Sequence, residues 1–210
     1  MRGQPRCRTA FPFHLPPLRL SGGRTIGLAL YAPPPTPSKA EILSQLTLVL
    51  GGARSGKSRH AEALLADCAP PRTYIATAQA LDDEMRARIA AHRVAREGAG
   101  WRTVEEPLDL AGALRPDPAA PVLVDCLTLW LSNLLLGEHD LAQAFAELDR
   151  ALAARTGRTV LVSNEVGCGI VPEIALGRRF RDEAGWLHQR LAAHADGVVF
   201  VVAGIPMRVK

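Results

Sequence analysis

Leu46-Thr47-Leu48-Val49-Leu50-Gly51-Gly52-Ala53-Arg54-Ser55-Gly56-Lys57-Ser58, running on into Arg59-His60-Ala61-Glu62-Ala63-Leu64-Leu65, is the stretch that decides the fold. An apolar run of strand length leads into G-x-x-x-x-G-K-[ST], and a helical pattern opens directly behind it. Strand, glycine loop and helix in this order make a phosphate loop. Its glycines let the backbone point N–H groups inward around a phosphate chain, and the helix N-terminus adds partial positive charge. Lys57 would neutralise the β- and γ-phosphates, and the Ser58 hydroxyl would ligate Mg²⁺. Gly51, Gly52, Ala53, Arg54, Ser55, Gly56, Lys57 and Ser58 are the expected nucleotide cradle. The plain alternative, a glycine-rich turn with an incidental lysine, leaves the flanking strand and helix unexplained.

Outward from the loop, short apolar runs alternate with helical patterns, the rhythm of a parallel sheet covered on both faces. The pattern predicts strands at Thr47–Leu50, Thr73–Thr77, Arg102–Glu105, Val122–Asp125, Thr159–Ser163 and Val198–Ala203. Helices are predicted at Lys57–Asp67, Asp82–Ala95, Thr128–Leu136, Leu141–Arg155 and Ile174–Ala195. In the last, Leu176, Phe180, Ala184, Leu187 and Leu191 recur every three or four residues, so one face is buried. The expected fold class is α/β, a P-loop NTPase with a RecA-like, mostly parallel sheet and helices on both faces.

The chain has 210 residues and a net charge of +4, enough length for one substantial core. The basic excess is local: residues 1–45 hold six bases and one acid, and the rest holds 19 bases and 20 acids. No basic face for nucleic acid is therefore expected on the domain. Residues 1–45 also hold half of the 16 prolines, including Pro33-Pro34-Pro35. They read as a disordered Pro/Arg-rich extension, with a start codon set too early as one alternative and a transit peptide as another. The catalytic domain is expected at residues 46–210, and deleting residues 1–44 should leave the thermal midpoint and turnover unchanged within error. No apolar run approaches the roughly 18–20 residues of a spanning helix. Cys7, Cys68, Cys126 and Cys168 show neither C-x-x-C nor zinc-finger spacing, so reduced thiols and a cytoplasmic location are expected.

A phosphate loop needs a carboxylate for its metal. Asp125, closing Pro121-Val122-Leu123-Val124-Asp125, lies where open α/β sheets bind ligands, at the carboxyl edge. Its alternative role is N-cap of the following helix. A second constellation is Asp82-Asp83-Glu84-Met85-Arg86-Ala87-Arg88-Ile89-Ala90-Ala91-His92-Arg93-Val94-Ala95-Arg96. Acids at its start and bases at its end suit a solvated helix on dipole grounds alone. The spacing adds that Glu84, Arg88 and His92 share a face. Arg88, Arg93 and Arg96 would disfavour an imidazolium, leaving His92 neutral and nucleophilic, and could hold a phosphate.

With these segments in view the chain resembles the bifunctional adenosylcobinamide kinase/adenosylcobinamide-phosphate guanylyltransferases of cobalamin biosynthesis. The resemblance spans about Leu46 to Lys210. It rests on the phosphate loop through Glu62, Tyr74-Ile75-Ala76-Thr77-Ala78, Leu81-Asp82-Asp83-Glu84-Met85 with Arg88-Ile89 and His92, and Trp101-Arg102-Thr103 with Glu105. It continues through Asn164-Glu165-Val166-Gly167, Gly169-Ile170-Val171-Pro172-Glu173, Phe180-Arg181-Asp182 with Ala184-Gly185, and Gly204-Ile205-Pro206. The resemblance implies a kinase step on adenosylcobinamide from ATP or GTP, then transfer of GMP from GTP through a guanylylated histidine matching His92. It implies nucleotide contacts at the phosphate loop, Thr77, Ala78, Arg93, Val94, Ala95, Arg96, Glu105 and Asp125. Mg²⁺ on Ser58 and Asp125, adenosylcobinamide and its phosphate as partners, and a homotrimer follow from it too.

The chain departs from the family pattern at Ile174 and His188, each where Asn is expected, and at Asp125, where some members carry Glu; Asp preserves the metal role. His60 is the rival nucleophile, with packing as its expected role, and His139, His188 and His194 read as ordinary helix-associated residues. Glu165 and Glu173 flank a glycine-rich segment after the fifth strand, placed to touch substrate or metal, or to serve a turn. Two other readings are a P-loop small-molecule kinase without guanylyl transfer and a GTP-binding switch. The second lacks an Asn-Lys-x-Asp stretch to read guanine.

Overall fold

The computed structural model describes residues 45–79 and 100–210, which belong to the compact unit Pro35–Lys210. The extension up to residue 44 and the expected helix Asp82–Ala95 lie outside the described residues. Seven strands form one sheet: β1 (Leu46–Gly51), β2 (Arg72–Ala76), β3 (Trp101–Glu105), β4 (Val122–Asp125), β5 (Thr159–Asn164), β6 (Gly197–Val202) and β7 (Ile205–Arg208). Their order is β3-β2-β4-β5-β1-β6-β7, parallel except for the antiparallel pair β6 and β7. The described helices are α1 (Lys57–Ala63), α2 (Leu110–Leu114), α3 (Leu127–Leu136), α4 (Leu141–Ala153) and α5 (Ala175–His194).

Alternation along the strands builds a core on each face, because successive side chains leave opposite sides of the pleat. On one side Leu48, Val124, Leu161 and Val198 join α2 to α5. On the other, Val49, Leu123, Val160, Val162 and Val199 join Ala61 of α1 with Leu64 and Leu65. Helices thus cover both faces, as a mostly parallel sheet requires, and β5 lies between the strand that feeds the phosphate loop and the strand that ends in Asp125. This is the expected α/β P-loop architecture of RecA-like type.

Three elements differ from the sequence reading. The helix after the phosphate loop ends at Ala63 rather than Asp67. Its last turn tightens into i→i+3 bonds, and the carbonyls of Leu64, Leu65 and Ala66 accept from Arg158 and Arg72 instead of continuing the ladder. The short helix α2 is new; Asp109 caps it by accepting from the Gly112 N–H at 2.8 Å. Strand β7 is new as well. The chain reverses at Ala203 and Gly204, both at positive φ (51° and 81°), and Pro206 is tolerated because β7 is an edge strand. At the start, the Gln45 carbonyl accepts from the Thr159 N–H, so the sheet's hydrogen bonding reaches one residue into the stretch read as extension.

Candidate active site

The phosphate loop is shaped by backbone that only glycine permits. Gly56 sits at φ 92° where α1 begins, and no side chain caps that helix start. A Cβ at Gly51 would lie 2.6 Å from Ser55 Oγ and 2.6 Å from the Val201 carbonyl, far inside contact distance. The turn between β6 and β7 supports the loop from behind, the Gly204 N–H donating to the Ser55 carbonyl at 2.8 Å. Gly51→Ala is therefore expected to destabilise the protein by about 1–3 kcal/mol through overpacking. Thermal melts check this, and a midpoint equal to wild type would show that the loop relaxes without cost.

Within the loop, Lys57 is buried and its ammonium donates to the Gly52 carbonyl at 3.2 Å, so its charge is folded back over the loop's concave side. Ser55 Oγ is buried and has no hydrogen-bond partner among the described residues. An orphaned hydroxyl inside an N–H-rich loop is a group a phosphate oxygen would satisfy. Ser58 is half-buried, and Ala53 and Arg54 are exposed.

Register sets the rest of the edge. Ala76 pairs with both Glu105 and Asp125, and Asp125 pairs with Val162 on the strand beside β1. Asp125 is therefore two strand spacings from the phosphate-loop strand, about 10 Å, and Glu105 is four, roughly 19 Å. The structure brings the loop and Asp125 to one stretch of edge and leaves Glu105, which is exposed, at its far end. Asp125 is not the helix cap: Cys126 occupies the N-cap position of α3. Instead the Asp125 carboxylate accepts from the Tyr74 hydroxyl at 3.0 Å, which fixes one oxygen. Hydroxyl and carboxylate oxygens are hard donors, and Mg²⁺ uses one or two of them beside phosphates and waters, so Ser58 and Asp125 fit it.

Thr77 is fully buried, and its hydroxyl is committed to donating to the Cys126 carbonyl at 2.7 Å and accepting from the Cys126 N–H at 2.9 Å. The Asn133 side chain donates to the Thr77 carbonyl at 2.8 Å. What the structure shows of Thr77 is thus a clamp on the backbone that carries Asp125, and the half-buried Ala78 follows it at the edge. His92, Arg93, Val94, Ala95 and Arg96 lie outside the described residues. His60 is half-buried on α1.

One residue beside this edge carries no signal in the loop motif. His188 reads from the sequence as an ordinary helix residue, yet it is buried, with Nε2 2.7 Å from Ser163 Oγ and Nδ1 4.0 Å from Glu165 Oε2. Burial pushes its imidazole below the ordinary value, and the Glu165 carboxylate pulls the other way. The signal was available in the spacing: Ala184, Leu187, His188 and Leu191 form an i, i+3, i+4, i+7 stripe, which puts a polar side chain on the buried face. Glu173, the other acid of the glycine-rich segment, is exposed.

Residues 47–209 match the family model described as cobinamide kinase / cobinamide phosphate guanyltransferase. The chain is 55% identical over 167 residues to the bifunctional adenosylcobalamin biosynthesis protein CobP of Pseudomonas aeruginosa, covering 78% of this chain and 96% of that protein. It is 49% identical over 184 residues to the bifunctional adenosylcobalamin biosynthesis protein CobU of Salmonella typhimurium, and 47% over 182 residues to its Escherichia coli namesake. Each of these alignments covers 79% of this chain and 99% of the relative. Among the described residues no helix is long and apolar enough to cross a membrane. With the motif, the sheet order and near-complete coverage of these relatives in agreement, the chain belongs to the cobinamide kinase / cobinamide phosphate guanyltransferase family.

Proposed function

We propose that this chain performs two successive transfers on one corrinoid substrate. A nucleoside triphosphate, ATP or GTP, gives its γ-phosphoryl group to the aminopropanol hydroxyl of adenosylcobinamide. GTP is then attacked at its α-phosphorus by His92, pyrophosphate leaves, and the substrate phosphate takes the GMP unit to give adenosylcobinamide-GDP. The observation that supports this best is the built phosphate loop: Gly56 at φ 92°, Lys57 turned inward, and the Ser55 hydroxyl without a partner among the described residues.

Lys57 and the loop N–H groups would hold the triphosphate and spread its charge. Ser58 and Asp125 would hold Mg²⁺, which when bound neutralises the β- and γ-oxygens. Tyr74 keeps the Asp125 carboxylate at the edge by donating to one of its oxygens. His92 suits the nucleophile's role because a neutral imidazole is a good nucleophile near pH 7 and a good leaving group once protonated. Glu105 and the stretch Arg93–Arg96 serve the guanine nucleotide in this reading. The enzyme acts in the cytoplasm as a homotrimer in which one subunit helps complete a neighbour's site.

The test is a product assay with the purified chain, Mg²⁺, GTP and adenosylcobinamide. The phosphate ester should appear first and the GDP-linked product second; a reaction that stops at the phosphate ester makes the chain a plain kinase. Asp125→Ala is expected to raise the Mg²⁺ concentration needed for half-maximal rate and to depress both steps. A wild-type Mg²⁺ titration in that variant would take Asp125 out of the metal's surroundings.

A further inference from the structure

Ser163, His188 and Glu165 make a continuous polar chain that neither transfer step above employs. Ser163, near the carboxyl end of β5, is 0% exposed, and His188 reaches it from α5. Serine, histidine and a carboxylate are the residue types of hydrolase triads, but a serine with no exposed surface cannot attack a substrate, so the far end of the chain, Glu165, is the one that can act. An ionised carboxylate only accepts hydrogen bonds. Nδ1 is the ring nitrogen that faces the Glu165 carboxylate, at 4.0 Å, and Nε2 pairs with the Ser163 hydroxyl, which can donate or accept. The Gly167 N–H donates to Oε1 of Glu165, which turns Oε2 toward His188.

Glu165 stands at a decisive place on the edge. It is the first residue past β5, the strand between β1 and β4, and its backbone N–H donates to the Gly51 carbonyl at 3.0 Å. Laterally it lies between β1 and β4, next to the start of the phosphate loop, and along the strand direction it stands three residues beyond Val162, the partner of Asp125. A triphosphate anchored by the loop and reaching toward Asp125 would run along this part of the edge.

We infer that Glu165 receives the proton of the acceptor alcohol in the phosphoryl-transfer step, and that His188, steadied by Ser163, is the positioning residue that sets its carboxylate. This rests on the kinase half of the function proposed above. In the step, the alcohol oxygen forms a bond to the γ-phosphorus. The bond from that phosphorus to the β,γ-bridging oxygen breaks, its electron pair leaving with the nucleoside diphosphate. The hydroxyl proton passes to the Glu165 carboxylate and from there to water.

The experiment compares wild type with Glu165→Gln, His188→Leu and His188→Asn, measuring kinase kcat, the nucleotide KM, thermal midpoint and protein labelling by α-phosphate-labelled GTP. Glu165→Gln should lower kinase kcat about 100-fold or more, the range of general-base losses, while the nucleotide KM stays within about threefold. Labelling, which involves no acceptor hydroxyl, should fall far less than the kinase rate. His188→Leu fills much of the same space without a polar group and should lower kcat about tenfold with only a modest drop in thermal midpoint from the unpaired Ser163 hydroxyl, whereas His188→Asn, which keeps an amide beside Ser163 and Glu165, should recover most of the loss in kcat. Near-wild-type kcat in Glu165→Gln overturns the assignment. So does a parallel loss of kcat, KM, labelling and thermal midpoint in both His188 variants, which would make the histidine a packing residue. If the wild type fails to phosphorylate the alcohol at all, the proposed function falls with it; an active wild type with an equally active Glu165→Gln sinks this inference alone.

Discussion

Lys57→Ala is expected to abolish both cobinamide phosphorylation and GMP transfer, with each rate falling at least about 10²–10³-fold, the loss seen when a preorganised charge-stabilising donor is removed. Both reactions start from an anchored triphosphate, and the Lys57 ammonium is buried against the loop, 3.2 Å from the Gly52 carbonyl. Among the described residues of the loop the other base, Arg54, is exposed, whereas Lys57 is buried. The variant should still fold, since the loop is held by backbone: the Gly204 N–H on the Ser55 carbonyl and the His60 N–H on the Gly56 carbonyl. Steady-state assays of both products, alongside a thermal melt, check the prediction. A folded Lys57→Ala protein that retains either activity would place that activity at another nucleotide site.

Much of this architecture is legible in the residues, for reasons that differ by element. The strands at the sheet centre are short apolar runs ended by polar residues, so Val122–Asp125 is read with its observed limits, and Leu46–Gly51 and Thr159–Asn164 are read to within a residue or two. Strand β7 was hidden because Pro206 argues against a strand, and only an edge position, a tertiary fact, removes the objection. The helix end at Ala63 was hidden because the arginines that take its last carbonyls come from elsewhere, Arg158 being 94 residues away.

At the site, the loop announces itself because a phosphate cradle needs glycines, a lysine and a hydroxyl at fixed spacing. Asp125 was readable as a strand-end carboxylate, but whether it caps the following helix was not, since that turned on where α3 begins. Thr77 illustrates the opposite limit: a residue that the family pattern marks as a nucleotide contact has its hydroxyl spent on the Cys126 backbone. His188 escaped because a single polar residue beside an apolar stripe is ambiguous until its partners on β5 and beyond are in place.

His92→Asn should separate the two chemistries. Phosphoryl transfer to an alcohol needs no protein nucleophile, whereas retention of GMP on the enzyme requires a covalent partner. The variant is therefore expected to lose the GDP-linked product completely and to keep cobinamide phosphorylation at a reduced but measurable rate. His60→Ala is the control and should keep both. If His60→Ala loses the GDP-linked product and His92→Asn does not, the nucleophile is His60.

The most direct measurement is to incubate the wild-type protein with α-phosphate-labelled GTP and Mg²⁺, then map the labelled peptide. One acid-labile, alkali-stable adduct is expected, a phosphoramidate on His92, with pyrophosphate released in equal amount. A protein that forms the cobinamide phosphate but carries no GMP on any residue would contradict it.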